Sequence, residues 1–266
     1  SGNTYTWLNW KSSNVSLVED QSEQNATIIM PIVPENETLT LTANASANAN
    51  EYSITYKNVE GVDNSQNPST YVYGNSVTFK NPGSKTGYTF DGWYTDAEFK
   101  TKTTGITSTQ KSNVTVYAKW NINKYTVTYN ALGGTCEIGV LNDVEYGSDI
   151  DVTTIKASKP NYVFKGWNTD QKATTPLTSL KMGTSDIVLY AIYVDAVAQI
   201  GSEYYETLQS AIDAAGKSST AITITMLKSV TTTGATGNVA EGQNIKLDLN
   251  GMTIQSSDTT TILNNG

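Results

Sequence analysis

Apolar and polar residues alternate along this chain in short runs with a period of two. Tyr52-Ser53-Ile54-Thr55-Tyr56, Val114-Thr115-Val116-Tyr117-Ala118, Tyr125-Thr126-Val127-Thr128-Tyr129 and Ile187-Val188-Leu189-Tyr190-Ala191 each send alternate side chains to one face, which predicts half-buried β-strands. Gly, Asn, Asp and Pro between such runs mark turns. One segment keeps a different rhythm. Leu208, Ala211, Ile212 and Ala215 fall at i, i+3, i+4 and i+7 ahead of Gly216, predicting a helix over Glu206 to Ala215 that ends at a glycine. Short alternating runs resume at Ala221 to Leu227, Asn244 to Ile254 and Thr260 to Leu263.

The strand pattern is also repeated. Tyr52 to Tyr56 returns as Tyr125 to Tyr129, and Tyr73-Gly74 returns as Tyr146-Gly147, at a spacing of about 73 residues. Gly87-Tyr88-Thr89-Phe90-Asp91-Gly92-Trp93 matches Asn161-Tyr162-Val163-Phe164-Lys165-Gly166-Trp167, and Val114 to Trp120 matches Ile187 to Tyr193. Four matched segments in one order define a module with its own small core. Residues 1–50 read as the tail of a third sibling, because Trp7-Leu8-Asn9-Trp10 keeps the aromatic spacing and Leu39-Thr40-Leu41-Thr42-Ala43 the closing strand. Ala26-Thr27-Ile28-Ile29-Met30-Pro31 adds a strand stopped by proline, Ala43 to Asn50 reads as a linker, and Asn121 to Lys124 as a shorter one. The chain divides accordingly into a partial module with linker at 1–50, modules at 51–122 and 123–195, and a different domain at 196–266. Without an initiator Met or a leader, it reads as a piece of a longer protein.

The motifs Tyr-x-Ile/Val-Thr-Tyr, Tyr-Gly, Gly-Tyr-Thr-Phe-Asp-Gly-Trp-Tyr-Thr-Asp and Val-Tyr-Ala-Lys-Trp over Tyr52 to Trp120 resemble the internalin-type B repeat, the Listeria-Bacteroides repeat. Tyr125 to Tyr193 resembles it too, departing where Asn161 and Lys165 replace the first Gly and the Asp, and where Tyr193 replaces the final Trp. Residues 1–50 resemble a sister bacterial repeat. The resemblance implies tandem small β-grasp-like modules on secreted or wall-attached proteins of Gram-positive bacteria, with roles in spacing and adhesion and no catalytic residues. Tyr205-Glu206-Thr207-Leu208-Gln209-Ser210-Ala211-Ile212 followed by a strand and Lys246-Leu247-Asp248-Leu249-Asn250-Gly251-Met252-Thr253-Ile254 is similar to the opening of right-handed parallel β-helix domains of the pectin-lyase type. That similarity implies an N-terminal cap helix and the first turns of the coil. The fold class expected is mainly β.

Composition narrows the chemistry. Arginine and histidine are absent, which removes guanidinium clamps and imidazole acid–base work. The net charge of -8, with no basic run, is the wrong sign for nucleic acid, and no apolar run is long enough to cross a bilayer as a helix. A lone Cys136 forms no intrachain disulfide and has no basic neighbour in sequence to activate it, so it is expected inert and partly buried. Asp248 alternates with Leu247 and Leu249 and is expected on the solvent face, without the second carboxylate a polysaccharide-cleaving site needs. Asp91, Asp96 and Glu98 match no calcium-loop spacing and are expected to form a solvated acidic loop. No metal or other cofactor is expected.

Trp93, Trp167, Phe90, Phe164, Tyr117 and Tyr190 recur at equal spacing and are expected in the two cores. Tyr94 and the pair Tyr204 and Tyr205 have no counterpart in the sister module and are the expected exposed contacts for a host glycan or surface protein. The expected function is an extracellular, non-enzymatic spacer about 100 Å long that presents an adhesive or carbohydrate-interacting domain. Two alternatives are a glycan- or host-protein-binding adhesin module and the non-catalytic flank of a β-helix carbohydrate-active enzyme.

Overall fold

Strands of seven to nine residues with one apolar face cannot bury that face alone, so each must pair and then close over a core. The computed structural model describes residues 3–12, 40–257 and 261–264, in two compact units, Ser1–Asn121 and Ile122–Gly266. The fold is mainly β with several small sheets and one helix among the described residues. The expected strand at 26–31, and Leu39, lie outside the described residues.

In the first unit, β1 (Asn3–Ser12) pairs antiparallel with β2 (Leu41–Ala49), placing Trp10 opposite Ala43 and Trp7 opposite Ala45, with a bulge between Trp7 and Asn9. The expected linker from Ala43 to Asn50 is thereby corrected: it is strand through Ala49, its backbone held by the ladder to β1 although its sequence lacks an apolar period. The first complete repeat follows as β3 (Glu51–Lys57), β4 (Thr70–Val72), β5 (Val77–Thr78), β6 (Tyr88–Tyr94), β7 (Lys102–Thr103), β8 (Gly105–Ile106) and β9 (Val114–Ile122). Its main sheet has the order β4-β3-β9-β6-β7, so the first and last long strands lie side by side, and they run parallel with Ile54 opposite Val114. β5 and β8 form a separate antiparallel pair. Ile54, Tyr71, Phe79, Trp93, Ile106, Val116 and Ala118 form the core.

The second unit opens with the same plan: β10 (Lys124–Asn130), β11 (Thr135–Cys136), β12 (Val140–Glu145), β13 (Ala157–Ser158), β14 (Tyr162–Asn168) and β15 (Ile187–Asp195). The order is β12-β10-β15-β14, with β10 parallel to β15 and Val127 opposite Ile187. Val127, Tyr129, Ile150, Val152, Trp167, Met182 and Leu189 lie in its core. In β14 and β15, Trp167 faces Ala191 and Phe164 faces Tyr193, with a bulge between Phe164 and Gly166. That is the offset seen between β1 and β2.

Two glycine positions explain why their motifs recur. Gly74 and Gly147 have φ of 97° and 80°, which only glycine adopts cheaply, and turn the chain after Tyr73 and Tyr146. Gly166 sits at the bulge of β14 and Gly92 at the matching position of β6, with φ of 140° and 158°. At these φ values any L side chain is strained, and at Gly166 a Cβ would also lie 2.5 Å from the Pro176 ring, so Gly is favoured before each Trp.

The chain then forms β16 (Ala198–Ile200), β17 (Glu203–Tyr205), α1 (Leu208–Ala215), β18 (Ile222–Met226), β19 (Val230–Thr232), β20 (Gly237–Val239), β21 (Ile245–Asp248), β22 (Ile254–Ser256) and β23 (Ile262–Asn264). β18, β19 and β20 pair in parallel, in that order, with β21, β22 and β23, each partner lying 23 to 25 residues further along. Ile222 stands against Ile245, Ile224 against Leu247 and Val230 against Ile254, so like apolar side chains stack between successive turns of chain.

The helix begins at Leu208, not at the expected Glu206, because Thr207 caps it: the Thr207 hydroxyl accepts from the Ser210 N–H at 3.0 Å. Leu208, Ala211 and Ile212 are buried with Ala198, Ile224 and Met226 in one cluster. The helix therefore docks on the following strand as its stripe predicts, and on β16, β17 and β20 as well.

Candidate functional surfaces

The expectation that Tyr94 is an exposed contact is corrected by its burial: only 7% of the residue is exposed. Past Gly92, Trp93 enters the core and Tyr94 falls on the opposite, outer face of the sheet. There the loop after β6 folds back over it. Phe99 meets its ring edge-on at 5.6 Å, and the ammonium groups of Lys102 and Lys119 lie 5.9 Å and 5.4 Å from the ring centre. The Tyr94 hydroxyl donates to Asp91, whose carboxylate also meets Lys119 at 3.9 Å and Lys102 at 3.6 Å. The hydrogen bond from Tyr94, reinforced by the two lysines, holds the Asp91 carboxyl below its ordinary range and raises the Tyr94 hydroxyl.

Asp91 is thus half-buried and paired, not a member of a solvated loop. Asp96 accepts from the N–H groups of Lys100 at 2.9 Å and Thr101 at 2.8 Å, closing the turn, and Glu98 is exposed. No three acidic or thiol side chains gather into a metal-binding group among the described residues.

Trp93 and Trp167 are 3% and 0% exposed. Their indole N–H groups donate to the carbonyls of Lys80 at 2.9 Å and Ile155 at 2.8 Å. Phe90 and Phe164 are partly buried and pack edge-on against them. Tyr117 and Tyr190 depart from the core expectation. They alternate with Val116 and Ala118, and with Leu189 and Ala191, and so stand half-buried on the outer faces of β9 and β15.

Tyr204 and Tyr205 are both half-buried, and Tyr205 packs against the cluster that holds α1. Cys136 is half-buried against the core of its repeat, its thiol donating to the Ile138 carbonyl at 3.1 Å. Asp248 is exposed and accepts from the Asn250 N–H at 2.9 Å, closing the turn. Tyr193, where the first repeat has Trp120, buries its hydroxyl without a hydrogen-bond partner in the described residues, whereas the Trp120 indole donates to the Asn58 carbonyl at 3.0 Å. No sequence pattern marks that orphaned hydroxyl.

A protein of Evansella cellulosilytica named as a Gly-rich membrane protein is 36% identical over 145 residues, covering 53% of this chain and 16% of that protein. Internalin H of Listeria monocytogenes is 27% identical over 188 residues, covering 69% of this chain and 32% of its own length. The chain thus spans less than a third of these relatives. No solved structure matches it. No helix among the described residues is long and apolar enough to cross a membrane. The Listeria-Bacteroides repeat domain matches residues 52–119 and 125–192, the two segments whose strand order and buried tryptophans coincide, and the chain belongs to that family.

Proposed function

We propose that this chain is a non-catalytic spacer segment of a surface protein of a Gram-positive bacterium, built from β-grasp-like repeats that lead into the first turns of a parallel β-helix. One observation carries the reading: each repeat directs its large aromatics into a core closed within its own segment, Trp93 in one and Trp167 in the other. Such modules are added or removed without rebuilding a neighbour, at about 30 Å per repeat. The strand order second, first, last, third with a central parallel pair supports the β-grasp likeness. Three consecutive parallel pairings beneath a helix support the β-helix likeness. The internalin name of one relative supports the surface location.

The test is a length series in which one, two and three copies of residues 51–122 separate a surface anchor from a reporter ligand-binding domain. Capture of large particles by the reporter is expected to rise with copy number, while the 266-residue chain alone attaches to neither glycans nor host cells. Saturable attachment of the chain itself, with capture indifferent to copy number, would replace the spacer by an adhesin.

A further inference from the structure

The two repeats share their core faces and differ on their outer faces. On the last strand, Thr115, Tyr117, Lys119 and Asn121 of the first repeat become Val188, Tyr190, Ile192 and Val194 in the second. On the aromatic strand, Thr89 becomes Val163 and Asp91 becomes Lys165. Val163 and Val194 are directly opposed across β14 and β15, and Ile192 pairs at the bulge beside them. These three residues form an apolar patch on the face turned away from the repeat's own core.

The patch is partly closed to water: Val163 and Val194 are half-buried and Ile192 is buried. Ile192 is 6% exposed although its core-facing neighbours are Ala191 and Tyr193, whereas Val188, on the same face nearer the start of the strand, is 39% exposed. Of the segment that follows the repeat, β17 is the strand that reaches β14. Since Tyr205 enters the cluster around α1, the period of two puts Tyr204 on the opposite side of β17. Lys165, in place of Asp91, meets Glu206 just after β17 at 2.9 Å, and Lys228 meets Asp195 at 2.8 Å. The connecting Ala196 is buried and donates its N–H to the Asn161 carbonyl at 2.9 Å.

We propose that the outer face at Val163, Ile192 and Val194 is a docking surface for the β16–β17 hairpin, with Tyr204 as the seated side chain and the Lys165–Glu206 pair fixing its orientation. The second repeat is thereby an adapter, joined rigidly to the segment that follows it. A repeat that keeps the Thr, Lys and Asn row lacks this surface. Apolar burial supplies the attachment; the two exposed ion pairs contribute mainly register. The inference stands independently of the spacer reading.

The experiment uses the full 266-residue chain with hydrogen exchange read segment by segment. Ile192→Lys, which installs the first repeat's residue, is expected to speed exchange of β16, β17 and α1 by about tenfold or more, the factor that follows from exposing one buried isoleucine. Val188→Thr, the same kind of replacement at the uncovered end of the strand, is expected to change nothing there. Tyr204→Ser lies outside the repeat and is expected to act as Ile192→Lys does while amides of β10 keep their protection. Lys165→Glu should speed exchange modestly, and adding Glu206→Lys should restore it. Unchanged exchange of β16, β17 and α1 in both Ile192→Lys and Tyr204→Ser would overturn the proposal. Should Ile192→Lys unfold the repeat itself, the Tyr204→Ser result alone decides.

Discussion

Replacing Trp167 by Ala removes the largest wholly buried side chain of the second repeat. Truncating a buried tryptophan costs about 3–5 kcal/mol. Here the ring also meets Tyr129 edge-on at 5.0 Å and Phe164 at 5.2 Å, and its departure leaves the Ile155 carbonyl without its donor, which adds about 1 kcal/mol. A core in a domain of about 70 residues supplies only about 3–5 kcal/mol in total. Trp167→Ala is therefore expected to leave residues 123–195 unfolded at room temperature, while Trp167→Phe, which keeps most of the ring, leaves them folded but weakened. Urea titration followed by hydrogen exchange resolves the segments. Protection should vanish from β10, β14 and β15 and persist in β3, β6 and β9, with Trp93→Ala giving the converse. If either variant removes protection from both repeats together, or if Trp167→Ala unfolds at the wild-type midpoint, the argument from separate cores fails.

Tyr193→Phe deletes a buried hydroxyl that has no partner in the described residues and is expected to stabilise the second repeat by about 1 kcal/mol, seen as a higher urea midpoint; a lower midpoint would show that the hydroxyl is hydrogen-bonded after all. Burial pushes the hydroxyls of Tyr56 and Tyr129 up to about 12, against about 10 in an unfolded chain. Because the folded state holds these protons more tightly, their contribution is whole below about pH 10 and is lost as pH rises through 12; a urea midpoint that stays level across that window contradicts the burial. Thr207→Ala removes the cap of α1 and should cost about 1 kcal/mol, with faster exchange at Ser210 and Ala211 as the local readout. Gly105→Ala would place a methyl 2.0 Å from the Val77 carbonyl and is expected to separate β5 from β8, destabilising the first repeat by more than about 2 kcal/mol in thermal melts, whereas Gly61→Ala, with open space around it, should be milder.

Much of this architecture was legible because it repeats. Equal spacing located the long strands, the recurring Gly-Trp step and the buried tryptophans, and a helical stripe located α1. Spacing failed for Tyr117 and Tyr190 for a physical reason: both faces of a strand recur at the same interval, so periodicity marks equivalent positions without saying which face is inside. Alternation with Ala118 and Ala191 misleads further, since the smaller residue is the buried one. Tyr94 was illegible because Phe99 and Lys102 bury it by folding a loop back over the outer face, a contact no period encodes. Strand order was equally hidden, as alternation assigns faces and not partners. The outer-face exchange of Lys119 for Ile192 was visible in the letters, but its meaning depended on knowing that β17 lies against β14.

The central parallel pair has a mechanical consequence. In each repeat the chain enters at the start of the first strand and leaves at the end of the last, and these two strands are neighbours running the same way over four paired residues, Ile54 to Lys57 against Val114 to Tyr117 and Val127 to Asn130 against Ile187 to Tyr190. Tension drawn through the two ends slides one strand along the other, loading every hydrogen bond of the ladder at once. An antiparallel hairpin pulled at its open end would unzip, its bonds breaking in succession. Each repeat thus resists extension by shear along the line of pull, while a sideways tug on β6 or β14 meets no such collective resistance.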